Sequence, residues 1–173
     1  MPSKTLPSEA FLGEYPGINA AAVSNMLVKL VHTGGVGLAK VVLHHYGESL
    51  GRLGAQWISE KMRPGTDEEW INYIPQYIEM LGLGKFSITK LYLDKGDDYY
   101  QLHGNLENSY FAEFYKKEFG KAPETVDWLV NGVISGYTTQ ILGVPVVFRE
   151  IQCTAKDDHI CEFVGKSKTN IKK

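Results

Sequence analysis

The sequence predicts a single α+β domain that contains two antiparallel hairpins. In the first eighty residues, apolar side chains recur at steps of three and four, which is the period of an amphipathic helix. Two later segments, 86–105 and 144–165, alternate apolar and polar residues on either side of turn-forming residues, as hairpin strands do. Helices therefore precede and interleave with the hairpins, and this order is typical of α+β proteins.

Length and charge narrow the class of protein. The chain has 173 residues and a formal net charge of −2, which fits one domain and does not suggest a nucleic-acid-binding surface. It has no run of 18 apolar residues and no apolar signal-peptide core, so we expect a cytoplasmic protein without membrane insertion. Residues 1–16 contain three prolines and predict an extended lead-in, residues 17–166 form the domain, and residues 167–173 form a disordered basic tail.

The first predicted helix begins near Gly17 and ends at the glycine-rich loop 32–37. A second, longer helix runs from about Leu38 to Met62. One of its faces carries three glycines, each costing about 1 kcal/mol relative to alanine: Gly47, Gly51 and Gly54. Because the helix keeps these glycines despite their low helix propensity, we expect another helix or a ligand to approach that face closely.

A break at residues 63–70 separates this helix from a third one. Thr66 or Asp67 is expected to cap the new helix, because acidic residues follow in its first turn. Pro75 lies inside the apolar pattern and predicts either a kink or a late helix start. The segment 81–85 then ends the helix.

The period changes to that of strands at Phe86. Residues 86–94 alternate with a slip near Lys90, a turn covers 95–98, and the returning strand covers 99–105. Asn108 or Ser109 is expected to cap a short helix that ends at Gly120. A further helix is predicted from about Pro123 to Leu142, followed by the hairpin strands 144–153 and 160–165.

The second hairpin carries both cysteines of the chain, Cys153 and Cys161, close to Glu150 and His159. A metal site, a disulfide, a nucleophilic thiol or two buried thiols are all compatible with these residue types. A reducing compartment disfavours the disulfide. Glu150 lies three residues before Cys153, so strict alternation places them on opposite faces. A bulge or bend is required if both bind one metal ion.

The segment "VDWLVNGVISGYTTQILGVPVVFREIQCTAKDDHICEFVGK" (126–166) resembles the 4-vinyl reductase domain, also called the hydrocarbon-binding domain. Relatives of this family include sensory domains of phenol- and xylene-responsive transcription activators, which hold structural zinc with one glutamate and three cysteines. The resemblance implies that Glu150, Cys153 and Cys161 are zinc ligands. Asp127 occupies the position of the fourth cysteine, and a carboxylate there predicts weaker binding. His159 is an alternative fourth ligand.

The resemblance extends to Golgi transport-complex (TRAPP) subunits and haem-based nitric oxide sensors. It implies helices packed on a twisted antiparallel sheet with a ligand cavity between them, lined by aromatic residues. Leu106 stands near the position of a tryptophan in the phenol sensors, so specificity for phenol does not transfer. Core packing is the alternative role for several of the candidate ligand-binding residues, which are Tyr100, His103, Tyr110, Trp128, Tyr137 and Phe148.

These observations predict a non-enzymatic domain that binds a small hydrophobic or aromatic molecule, holds structural zinc and forms a homodimer. Its role is that of a sensor or carrier, with output through a partner or through changes in the dimer. The family name suggests a second function, as an enzyme or accessory protein in tetrapyrrole 4-vinyl reduction. The chain shows no flavin or nicotinamide motif to supply hydride for that reaction. A ligand-free scaffold subunit is a third possibility.

Overall fold

A computed structural model describes residues 20–94 and 99–167, and the predicted lead-in 1–16 and turn 95–98 lie outside these ranges. The described part confirms the α+β class, with helices packed on one antiparallel sheet. Its elements in chain order are α1 (Ala20–Met62), α2 (Asp67–Ile71), α3 (Ile74–Met80), β1 (Lys85–Asp94), β2 (Tyr99–Glu107), α4 (Tyr110–Phe119), α5 (Trp128–Leu142), β3 (Val146–Gln152), a 3₁₀ turn (Thr154–Lys156) and β4 (Cys161–Ser167).

Helix α1 joins the first two predicted helices. The loop expected at 32–37 is reduced to a kink at Gly35, whose φ of 76° and ψ of 176° are not helical. Glycine adopts this positive φ without the steric cost that a side chain would bring. The helix therefore resumes at once, and the two predicted segments become one long element.

The glycines of α1 allow it to cross α5 with the two backbones in contact. A Cβ atom added at Gly47 or Gly51 would lie under 3.0 Å from backbone atoms of α5. The same holds in the other direction for Gly132 and Gly136, whose added Cβ atoms would meet the α1 backbone. Gly54 instead faces the ring of Tyr77. The close approach predicted from the glycine-bearing face is confirmed.

The breaks around α2 and α3 follow the local sequence. Thr66 is the N-cap of α2, and its Oγ1 accepts a hydrogen bond of 3.1 Å from the backbone N–H of Glu69. Pro75 lies in the first turn of α3, where its missing N–H costs no helical hydrogen bond. The late-start alternative for Pro75 is thus the one that the structure adopts.

The four strands form one sheet in the order β1-β2-β4-β3, so the two hairpins meet through β2 and β4. One face packs against the helices and contains Phe86, Leu102, Phe148 and Phe163, all buried. The expected slip near Lys90 is a shift in register between Ile88 and Lys90. Along β2, β3 and β4, buried residues that point to this face alternate with more exposed residues that point to the opposite face.

Helix α5 begins later than the sequence predicts, at Trp128 instead of near Pro123. One tertiary and one local hydrogen bond are made by the residues on either side of this delay. The N–H of Ala122 donates to the carbonyl of Ala155 at 2.9 Å, and Trp128 Nε1 donates to the carbonyl of Thr125 at 2.8 Å. As a result Asp127 occupies the N-cap position of α5, beside the second hairpin.

By length and composition alone, residues Ala22–Met62 of α1 would suffice to cross a membrane. The window of 18 residues that meets this test has a mean hydropathy of 1.5, and 17% of it is buried. This is weak evidence for a membrane span, because long helices of soluble proteins pass the same test.

Candidate metal centre and ligand-binding core

Four side chains converge where the start of α5 meets the second hairpin. They are Asp127, Glu150, Cys153 and Cys161, and all four are buried. One potential ligand atom from each, a carboxylate oxygen or a thiol sulfur, lies within 4.8 Å of the others. Both cysteines are free thiols. The set that the family resemblance implies is therefore assembled in space as a group able to hold a metal ion.

A bulge in β3 brings Glu150 and Cys153 to the same face of the sheet. The register of β3 against β4 shifts between Glu150 and Gln152, which leaves Ile151 as the extra residue. Ile151 is exposed, whereas Glu150 and Cys153 both point inward and are buried. The bulge that a shared metal site for Glu150 and Cys153 would require is therefore present.

Hydrogen bonds fix one oxygen of each carboxylate and leave the other oxygen without a partner. Ser109 Oγ donates to Asp127 Oδ1 at 2.5 Å, and the backbone N–H of Asp127 donates to Glu150 Oε2 at 2.9 Å. Asp127 Oδ2 and Glu150 Oε1 are buried and make no hydrogen bond. Buried oxygens of this kind carry a desolvation cost of about 1–3 kcal/mol each. A cation bound between them would remove that cost.

Burial dominates the electrostatics of the group. It raises the pKa of Asp127 and, with the nearby Asp127 charge, raises the pKa of Glu150 to about 11. A hydrogen bond from Cys161 lowers the pKa of Cys153 to about 7, and the same interaction together with burial raises the pKa of Cys161. The metal-free group thus holds protons that a divalent cation would displace.

His159, the alternative fourth ligand, is exposed and lies outside the group of four. The turn that carries it is held by Asp158, whose Oδ2 accepts a hydrogen bond of 2.8 Å from the N–H of Cys153. The arrangement therefore favours Asp127 over His159 as the fourth ligand.

The predicted ligand-binding residues are distributed over the domain. Trp128, Tyr137, Phe148 and Tyr100 are buried, and Tyr110 is half-buried. Tyr137 Oη donates to the carbonyl of Trp70 at 3.0 Å, and its ring lies 5.7 Å from the ring of Tyr77 between centroids. The ring of Phe148 covers Gly165 of the neighbouring strand.

His103 is separated from the other candidate ligand-binding residues. It is on β2 beside Gln101, with their side-chain nitrogens 2.7 Å apart, and both alternate with the helix-facing Leu102. Its side chain therefore belongs to the outer face of the sheet.

Three polar residues of potential importance are absent from the sequence-based candidates. Ser109 holds Asp127, and its only sequence signal is its position as a helix N-cap. Trp70 Nε1 and Asn131 Oδ1 are buried atoms with no hydrogen-bond partner. Unsatisfied polar atoms in a core are candidate anchors for a polar group on a ligand. No sequence pattern points to either atom, because the lack of a partner depends on tertiary packing.

Two curated proteins are similar in sequence. The chain is 27% identical over 110 residues to the phenol regulator MopR of Acinetobacter guillouiae, which covers 63% of this chain and 20% of that protein. It is 28% identical over 134 residues to the transcriptional regulatory protein XylR of Pseudomonas putida, which covers 77% of this chain and 24% of that protein. The chain thus spans about a fifth to a quarter of these relatives. No family model matches it.

Solved structures give the same relations. The phenol-responsive sensory domain of the transcription activator PoxR aligns with a TM-score of 0.81 and 21% identity, covering 87% of this chain and 75% of that chain. A trafficking protein particle complex subunit 3 from Naegleria fowleri, covalently bound to palmitic acid, aligns with a TM-score of 0.59 and 15% identity, covering 86% and 92%. A vinyl-4-reductase family protein from Methanocaldococcus jannaschii aligns with a TM-score of 0.49 and 17% identity, covering 96% and 85%. The predicted likeness to phenol-responsive regulators is therefore confirmed in sequence, and the chain shares the α+β fold of the phenol-sensing domain and of the trafficking-complex subunit.

Proposed function

We propose that this chain is a sensory or carrier domain that binds a small hydrophobic or aromatic molecule and is stabilised by structural zinc. The observation that carries the proposal is the buried group of Asp127, Glu150, Cys153 and Cys161 within a fold shared with a phenol-sensing domain. The two curated relatives are named as a phenol regulator and a transcriptional regulatory protein, which favours sensing of an aromatic compound.

Zinc suits the donor set at this centre. Two thiolates and two carboxylate oxygens can complete a tetrahedral site, and zinc accepts both donor types. Each carboxylate offers one oxygen that no protein group satisfies. Zinc held there would tie the start of α5 to the second hairpin and would add binding free energy to folding.

Elemental analysis and chelation test the zinc proposal. We expect one zinc per chain after purification without added metal, and a lower unfolding midpoint after chelation. Glu150→Gln should weaken zinc binding, whereas the matched change Glu162→Gln should not, because Glu162 alternates with the buried Cys161 and Phe163 on β4. A protein whose unfolding midpoint responds to neither chelator nor zinc would contradict the proposal.

The ligand is proposed to bind between the helices and the sheet, among the buried aromatic residues. Leu106, fully buried on β2, lies near the position where the phenol sensors are expected to place a tryptophan. Leu106 offers no hydrogen-bond partner to a hydroxyl group of the ligand, whereas the unpaired Trp70 Nε1 and Asn131 Oδ1 could each bind one. We therefore expect both m-xylene and phenol to bind.

Native mass spectrometry and calorimetric titration test this proposal. A co-purifying hydrophobic molecule, or saturable binding of m-xylene or phenol, supports the ligand-binding role. Tyr137→Phe should change the affinity, whereas Tyr92→Phe serves as its control, because Tyr92 lies exposed on β1. Failure of m-xylene, phenol and palmitate to bind, with no co-purifying molecule, would refute the role.

A scaffold role is the second candidate, and tight packing of the interior favours it. The rings of Phe86 and Phe148 fill the space above Gly104 and Gly165, and α1 and α5 touch through their backbones. The fold neighbour from Naegleria fowleri is a subunit of a trafficking complex. Binding of m-xylene, phenol or palmitate separates the two candidates, since a filled interior takes up none of them. A role in tetrapyrrole reduction has no specific observation in its favour.

A cytoplasmic location and a homodimer complete the proposal. The location follows from the curated relative named as a transcriptional regulatory protein, since transcription in bacteria is cytoplasmic. The homodimer is supported by the exposed apolar side chains that α1 carries between Leu38 and Leu53. Sedimentation of the purified protein measures the oligomeric state directly.

A further inference from the structure

The two thiols of the metal centre face each other across the end of the second hairpin. Cys153 and Cys161 are the two cysteines of the chain, and both are free and buried. Gln152 pairs with Glu162 at the end of the β3–β4 ladder, and Cys153 continues the strand with φ of −148° and ψ of 128°. Cys153 therefore lies opposite Cys161. Opposite residues of antiparallel strands have Cα atoms about 4.5–5.5 Å apart, within the range of about 4.4–6.8 Å that a disulfide spans.

Contacts around the sulfur atoms keep the pair close. The two Sγ atoms lie within 4.8 Å of each other, and the thiols share a hydrogen bond. Cys161 Sγ also accepts a hydrogen bond of 3.4 Å from the backbone N–H of Thr154, and Thr154 Oγ1 lies 3.5 Å from the same sulfur. Side-chain rotations alone can bring sulfur atoms held in this way to bonding distance, because the backbone spacing already suits a disulfide.

Both cysteines lie one residue away from the surface at the end of the sheet. Each is fully buried, but their neighbours along the chain are exposed or half-buried: Gln152, Thr154, Ile160 and Glu162. Local opening at such a strand end costs less free energy than global unfolding. Hydrogen peroxide is little larger than water, so a local opening is enough to admit it. The oxidation rate should then be set by the opening of the hairpin end.

We propose that Cys153 and Cys161 form a redox switch, in which hydrogen peroxide joins them in a disulfide and thereby empties the metal centre. This inference rests on the zinc centre of the proposed function and adds a regulation of that same site. A reducing compartment disfavours a permanent disulfide, and the disulfides that do form there are usually transient and redox-sensing.

The oxidation has two steps. In the first, one thiolate attacks hydrogen peroxide, the O–O bond breaks, and a sulfenic acid forms with loss of hydroxide. In the second, the other thiolate attacks the sulfenic sulfur, the S–S bond forms, and a second hydroxide leaves. Each hydroxide takes up a proton and becomes water. Two electrons pass from the sulfur pair to the peroxide, and a dithiol such as dithiothreitol returns them by thiol–disulfide exchange.

Disulfide formation leaves too few donors for zinc. Metal ions are ligated by the thiolate, so Asp127 and Glu150 remain as the two donors. Asp127 Oδ2 and Glu150 Oε1 are then again buried without a partner, and the start of α5 loses its tie to the hairpin. Only seven residues separate the two cysteines, and so short a loop stabilises the oxidised form less than a long one would. We therefore expect the switch to be reversible.

Peroxide treatment of the zinc-loaded chain tests the switch. We expect one zinc to be released for every two thiols lost, read with a chelating dye and a thiol reagent, and a protein lighter by two hydrogen atoms. Trypsin cleaves after Arg149, Lys156 and Lys166, so the disulfide should join peptides 150–156 and 157–166 until it is reduced. Dithiothreitol and zinc together should restore the starting state.

Hydrogen exchange reads the structural consequence. The N–H of Asp127 donates to Glu150, and the N–H of Ala122 donates to the carbonyl of Ala155, so both report on the contact between the start of α5 and the hairpin. Their exchange should become about tenfold faster or more after oxidation, because the tie through the metal is lost. Unchanged exchange at both positions in the oxidised, zinc-free protein would contradict this consequence.

Cys153→Asp separates disulfide formation from metal binding. The variant keeps a zinc donor at position 153 but leaves Cys161 without a partner thiol. Under the same peroxide treatment it should keep its zinc at least about tenfold longer than the wild type, because a single sulfur stops at the sulfenic acid. Cys161→Asp makes the reciprocal change and serves if the first variant does not fold.

The zinc content before peroxide and the thiol state after it report on the two proposals separately. A zinc-loaded wild type would overturn the switch if it kept both thiols, if it lost zinc only as its cysteines became sulfinic acids, or if its disulfides joined different chains. Zinc loss from Cys153→Asp and Cys161→Asp at the wild-type rate would overturn it as well. A chain that takes up no zinc before peroxide is added would contradict the zinc centre and the switch together.

Discussion

Replacing Gly51 by alanine tests whether the contact between α1 and α5 is as close as the structure has it. The new Cβ would lie 2.6 Å from the backbone N of Tyr137 and 2.9 Å from the carbonyl carbon of Val133. Both are backbone atoms, so no rotamer change can relieve the overlap and the helices must separate. Overpacking of this kind lowers the free energy of unfolding by about 3 kcal/mol. The higher helix propensity of alanine raises it by about 1 kcal/mol. We expect a net loss of about 2 kcal/mol.

Gly37→Ala is the matched control in the same helix. Its added Cβ would meet nothing within 4 Å, so only the propensity gain remains, about 0.5–1 kcal/mol of stabilisation. The two variants should differ by about 3 kcal/mol in the free energy of unfolding. Urea denaturation at a fixed metal content measures this as a midpoint difference of about 1–2 M. Equal stability of Gly51→Ala and Gly37→Ala would refute the reasoning.

Three further predictions concern the metal centre. Ser109→Ala should weaken zinc binding about 10–100-fold by freeing Asp127, while Ser109→Thr retains it, as measured by competition with a chelating dye. Asp127→Cys should tighten zinc binding by at least about tenfold in the same assay, because thiolate is the softer donor, and weaker binding would argue against Asp127 as a ligand. Burial raises the pKa of Glu150 to about 11, so the folded metal-free protein binds more protons than the unfolded chain above pH ~4.3. Glu150 therefore lowers the stability of chelated protein as pH rises from about 5 to about 8, and in urea unfolding Glu150→Gln should remove part of that loss.

Local patterns predicted the features that depend on neighbouring residues. The cap at Thr66 follows from residue type, and the spacing of Glu150 and Cys153 required a bulge if both were to bind one metal ion. The glycines of α1 predicted a close approach because their helical cost requires a compensating contact. The outward direction of His103 was also available from the sequence, since it alternates with Leu102 along β2.

Features that depend on distant residues could not be predicted from local sequence patterns. The late start of α5 coincides with two tertiary hydrogen bonds, from Ala122 to Ala155 and from the N–H of Asp127 to Glu150, which local helix propensity cannot reveal. The bond from Ser109 to Asp127 joins two segments that no periodicity connects. The placement of Asp127 in the metal group was predicted only through the family resemblance, because its position beside the hairpin is a property of the fold.

The order of the strands has a consequence for the kinetics of folding. Each hairpin pairs strands that are close in the chain, but the centre of the sheet pairs Gln101 with Lys166, more than sixty residues apart. Closing that loop requires α4 and α5 to be in place, and contacts of high sequence separation form slowly. We expect the joining of the two hairpins to limit the folding rate. A metal ion that brings the start of α5 to the second hairpin would shorten the remaining loop and accelerate that step.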